Sequence, residues 1–159
     1  GPQSAGILMG KKELIAAARL NAPPRGGNIG RGMKVNKEEI FGMWVALEKF
    51  ISIDHVKEMK MWESQISVIE TSLKKVKGVT TSVSVPPIAN CTPTLNFNWD
   101  KNIIKMTREE FQDKLRKGDP SIEVIGGKED SVNITAWMLK PGQEKIVATR
   151  VYEVLGKGV

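Results

Sequence analysis

The chain has 159 residues, 40% of them hydrophobic and 26% charged, with a formal net charge of +6. That is enough for one ordinary globular domain, or one domain plus a fragment, with a real core. No apolar run reaches the roughly 18 residues a membrane helix needs, the start lacks a signal-peptide layout, and the lone Cys91 excludes an internal disulfide or a cysteine-rich zinc site.

Taken in chain order, Ser4 to Met9 is a mostly apolar run closed by Gly10, and it reads as a strand. Lys11 to Leu20 follows as a helix, with Leu14, Ile15 and Ala18 on one side. A strand this early has no partner nearby in sequence, so it points to a sheet completed by preceding residues. From Asn21 to Gly32 the pattern stops, because Pro23-Pro24 forbids a continuing helix and four glycines mark a loop.

Asn36 and Glu39 have capping-box spacing and predict a helix start. Ile40, Trp44, Leu47 and Ile51 repeat at three and four. The stripe resumes after Asp54 with Met59, Trp62, Ile66, Ile69, Leu73 and Val76, until Gly78 closes it. The spacing predicts a long connecting helix region over residues 36–78, bent or split near Ser52 to Asp54.

After Gly78 the period becomes two. Val79, Thr81, Val83 and Val85 alternate with polar residues, as do Leu95, Phe97 and Trp99, which predicts two strands with one wet face. Thr107 and Glu110 form a second capping box for a helix ending at Gly118; Ile122–Ile125 and Val132–Leu139 read as strands and Gln143–Leu155 as a final helix. The fold class is α+β, a ββαββα order over residues 79–159 with an antiparallel sheet and helices on one face.

Single residues offer little catalytic chemistry. His55, the only histidine, follows Asp54 at a helix start and reads as a surface or capping residue; Cys91 sits in a loop without a basic cluster. Trp44, Trp62, Trp99 and Trp137 occupy periodic positions where packing is expected. No His, Cys, Asp and Glu grouping has metal-ligand spacing, so no metal is expected. The loop Arg25 to Lys34 fails as a Walker loop because Met33-Lys34 follows Gly32 where Lys and Ser or Thr should stand. It reads either as a phosphate or carboxylate clamp by Arg31 and Lys34, or as a surface turn with solvated cations.

Residues 1–78 hold thirteen Lys and Arg against eight Asp and Glu, and residues 79–159 hold eleven against ten. The excess is scattered among acids along helices, the pattern of a solvated face. With no aromatic pair in a basic strand, nucleic acid is disfavoured as a partner. A stand-alone polyanion-binding or oligomerisation module is the alternative to an enzyme fragment.

Gly1-Pro2-Gln3-Ser4-Ala5-Gly6-Ile7-Leu8-Met9-Gly10 resembles the segment that follows the Schiff-base lysine in pyridoxal-phosphate enzymes of fold type I, in the group of selenocysteine synthase and D-glucosaminate-6-phosphate ammonia-lyase. Gly30-Arg31-Gly32-Met33-Lys34-Val35-Asn36-Lys37 is similar to a family stretch Arg-x-x-Arg-Val-Asp-Lys, with Lys34 in place of the second arginine. That exchange keeps a cation but loses the bidentate fork, which weakens the selenium-transferase reading relative to an ammonia-lyase acting on a phosphorylated amino sugar or amino acid.

The resemblance implies pyridoxal 5'-phosphate in the parent enzyme, with Gly1, Pro2, Gln3 and Ser4 near it and Arg31 and Lys34 on a substrate anion. It implies residues 1–35 as the edge of a large domain lying mostly upstream, 36–78 as an interdomain helix region and 79–159 as the small domain. It further implies a homodimer or larger assembly, and the lone Cys91 agrees with a cytoplasmic location. None of the chain's own lysines holds the Schiff-base position, so the segment alone is expected to be inactive.

Overall fold

The computed structural model describes residues 1–24, 26–88, 91–128 and 131–158. Among these are five α-helices and four strands: α1 (Lys12–Asn21), α2 (Lys37–Ser52), α3 (His55–Leu73), β1 (Val79–Ser84), β2 (Thr94–Trp99), α4 (Arg108–Arg116), β3 (Ile125–Gly126), β4 (Val132–Thr135) and α5 (Gln143–Gly156). The fold is α+β with one four-stranded antiparallel sheet in the order β1-β2-β4-β3. Two compact units divide the chain, Gly1–Asp54 and His55–Val159.

The second unit owns the core. Alternation in β2 turns Leu95, Phe97 and Trp99 to one face, where Val132 and Ile134 of β4 join them. Ile66, Ile69 and Leu73 of α3, Phe111 and Leu115 of α4, and Val151 and Leu155 of α5 complete the same cluster. The opposite sheet face carries Thr94, Asn96, Asn98, Asn133 and Thr135, none of them buried. On it the Asn96 amide donates to Ser131 Oγ at 2.8 Å and to Asn133 Oδ1 at 2.7 Å.

Local rules set the element ends. At α4 the Thr107 hydroxyl accepts from the Glu110 N–H at 3.2 Å and Glu110 accepts from the Thr107 N–H at 2.8 Å, a closed capping box. Past α3 the chain turns through Gly78 at φ +85°, where a Cβ would lie 3.1 Å from the Ile103 side chain; only glycine suits both the angle and the space.

Glu70 ties α3 to the sheet. It accepts from the Thr81 hydroxyl at 2.9 Å and pairs with Lys74 at 2.8 Å. The hydrogen bond from Lys74, helped by Thr81, holds its carboxyl below the ordinary 4.5 against the opposing effect of burial. A depressed folded-state pKa stabilises the fold above the unfolded value, and that stability is lost as pH falls through the folded value. Glu70→Gln should therefore reduce the acid-dependent loss of stability by under about 1 kcal/mol for this partly exposed pair. Urea midpoints at neutral pH and below the ordinary carboxylate value check this, and identical losses in both proteins would discard it.

Several expectations are corrected. Ser4–Met9 is not a strand: Ile7, Leu8 and Met9 are exposed and no described strand pairs with them, and an extended segment without a ladder is not a strand. The strand expected over Ile122–Ile125 reduces to Ile125–Gly126. The last strand ends at Thr135 rather than Leu139, because its pairing with β2 stops at Thr94↔Thr135 and Pro93 beyond has no N–H to extend the ladder. Of the four tryptophans, Trp99 is buried and Trp62 packs on the core, whereas Trp44 and Trp137 are 60% and 55% exposed.

Candidate functional site

The first unit is built differently. It contains no buried residue among those described, although Phe41, Trp44, Val45, Phe50 and Ile51 of α2 are all exposed. The apolar residues of this helix are spread around it rather than along one stripe.

Within this unit the glycine-rich loop folds back on α1. Pro23 and Pro24 stop the helix, Gly27 takes a positive φ of 74°, and the Asn28 amide donates to the Leu20 carbonyl at 3.2 Å. Residues Ile29–Gly32 then make a short 3-10 turn, with the Met33 N–H donating to the Gly30 carbonyl at 3.0 Å. A Cβ on Gly30 would collide with the Asn21 carbonyl oxygen, so the loop closes only because that position has no side chain. Arg25 lies outside the described residues.

Met33 to Asn36 lead from the turn to α2, whose start is marked by the Asn36 N–H donating to Glu39 Oε2 at 3.4 Å. The segment, α2, the prolines and the opening residues border an open groove with a volume of about 470 Å³. Its walls are mainly hydrocarbon, from Ala5, Pro23, Ile40 and Met43, and Lys34 and Lys37 also line it. Among the described residues neither lysine forms an ion pair, and no carboxylate lines the cavity.

Of the residues singled out from sequence, Lys34 lines this cavity and Arg31 does not; Arg31 is exposed on the 3-10 turn. Pro2 packs toward α2, where a Cβ on Gly42 would sit 3.5 Å from Pro2 Cγ, and Gly1 lies against Met43. Gln3 and Ser4 are exposed in a turn and do not line the cavity, which the next two residues, Ala5 and Gly6, reach instead. Lys37 went unselected in the sequence, although its place directly after the N-cap Asn36 and three residues beyond Lys34 was the available signal. His55 opens α3 with Nδ1 3.7 Å from Glu58, and Cys91 is an exposed thiol.

The donor set does not by itself fit pyridoxal phosphate. Gln3 and Ser4 are the only polar side chains of residues 1–4, and the cavity offers cations but no carboxylate for a pyridinium nitrogen. Among the described residues no cluster of three or more His, Cys, Asp or Glu could hold a metal ion, and no helix is long and apolar enough to cross a membrane.

No family model and no curated protein matches the chain. A solved structure of D-glucosaminate-6-phosphate ammonia-lyase resembles it with a TM-score of 0.60 at 16% identity, over 94% of this chain and 39% of that one. The fold of this chain is thus similar to a segment amounting to well under half of an ammonia-lyase.

Proposed function

We propose that this chain is the C-terminal part of a pyridoxal-phosphate-dependent lyase or transferase, in particular of an ammonia-lyase acting on a phosphorylated amino sugar or amino acid. The observation that carries the reading is the likeness of 94% of the chain to an ammonia-lyase structure of which it spans only 39%. A first unit with no buried residue among those described, and with exposed apolar residues along α2, supports it, since such a surface needs covering by more protein. In this reading the cover is the large domain upstream, and residues 79–159, in the order β1, β2, α4, β3, β4, α5, are the small domain. A homodimer or larger assembly completes it.

Residues of the large domain would hold the cofactor, which would supply electron-sink chemistry there. This chain contributes position and charge. Lys34 at the groove holds a substrate carboxylate or phosphate, Arg31 on the adjoining exposed turn adds positive charge nearby, and the apolar walls cover part of the substrate.

The test compares visible absorbance with added pyridoxal phosphate for this chain and for the protein extended upstream through the lysine. The longer protein should show a lysine-bound cofactor band that borohydride removes, and the shorter one none. A longer protein without the band would falsify the reading.

A further inference from the structure

We propose that the cavity bounded by Lys34 and Lys37 binds a small molecule with an anionic head and a compact apolar body, Lys37 being its second cation. The claim deepens the proposed function, and it rests on that reading only in naming the ligand as the substrate. It narrows the substrate class from phosphorylated amino sugars or amino acids to amino compounds that carry a phosphate or carboxylate on a hydrocarbon chain.

Charge and wall chemistry argue for this occupant. Lys34 lies in the extended approach to α2 and Lys37 is the first residue of that helix, so the same short segment delivers both to one cavity. No lining carboxylate competes for them, and Glu39 is engaged with the Asn36 N–H. Among the described residues neither lysine has an ion-pair partner, so two ammonium groups on one short segment are available to attract an anionic head group.

The rest of the ligand meets Ala5, Pro23, Ile40 and Met43. Sugar hydroxyls placed there would lose water without gaining partners, whereas an alkyl chain gains from burial. A volume of about 470 Å³ suits a ligand of metabolite size.

The test uses the full-length protein supplied with pyridoxal phosphate, titrated calorimetrically with n-butyl phosphate, glucose 6-phosphate and inorganic phosphate. Butyl phosphate should bind about tenfold tighter than glucose 6-phosphate, from several buried methylenes. Lys37→Gln should weaken it about three- to tenfold, and Lys37→Arg, which keeps the charge, should recover most of the loss. Equal binding of the two esters, or no difference between the Gln and Arg variants, overturns the proposal. The absorbance of the same samples separates the two failures. A cofactor band without Lys37-dependent binding removes the cavity assignment alone, while Lys37-dependent binding without the band removes the lyase reading and leaves the cavity.

Discussion

Phe111→Ala should cost about 3–5 kcal/mol of unfolding free energy, a large part of the roughly 5–15 kcal/mol a domain possesses. Phe111 is fully buried where α4 meets the sheet. Its ring stands edge-on to Phe97 at 85° and 5.8 Å between centroids, and 5.3 Å from Trp99. Trp99 cannot move to fill the gap without cost, because its indole N–H donates to the Met106 carbonyl at 2.9 Å. The cavity term therefore adds to the lost burial. Phe111→Leu, which refills most of the volume, should cost under about 1.5 kcal/mol. Urea unfolding followed by near-ultraviolet circular dichroism gives both numbers, and a loss below about 1 kcal/mol for the alanine variant would remove the aromatic cluster from the centre of the core.

The core of this second unit was legible because its rules are local. A period of two in Thr94–Trp99 turns Leu95, Phe97 and Trp99 together whatever packs on them, and Thr107 with Glu110 caps its helix within three residues. The stripe from Ile66 to Val76 is likewise buried as its spacing implies. Failure began where the deciding partner lies elsewhere in the chain or outside it. The apolar residues Ile7 to Met9 carry strand chemistry without a ladder, and Trp44 has helical periodicity yet stays exposed, its indole N–H donating to Glu48 Oε1 at 2.7 Å. Trp137 satisfied the pattern of a strand that Pro93 had already cut short.

The candidate site shows the same division. Glycines and cations between Gly26 and Lys34 announced a special loop, yet the collision that fixes Gly30 against the Asn21 carbonyl is a long-range fact. So is the sorting of cations, which puts Lys34 and Lys37 at the cavity and leaves Arg31 on the exposed turn. Sequence spacing alone names Arg31 and Lys34 together, and only the family resemblance ranks Arg31 first.

Amide exchange in this chain should divide at residue 54, with α1 and α2 exchanging at least about a hundredfold faster than the buried parts of α3, β2 and α5. Exchange from a core element requires opening that approaches global unfolding, whereas a segment with few buried contacts opens for almost nothing. The second unit holds every buried hydrophobic side chain of the described residues, and the first holds none. A difference of roughly 3 kcal/mol in opening free energy corresponds to rates about a hundredfold apart. Helix propensity does not close that gap, since isolated helices of the 10 and 16 residues of α1 and α2 are marginal in water. Hydrogen exchange read by mass spectrometry over peptides of each unit makes the comparison. Equal protection of α2 and α3 would mean that the apolar surface of α2 is already covered in this chain, by self-association if protection falls on dilution, and the need for an upstream domain over it would disappear. Rapid exchange in α2 that slows in the upstream-extended protein would identify that preceding chain as its cover.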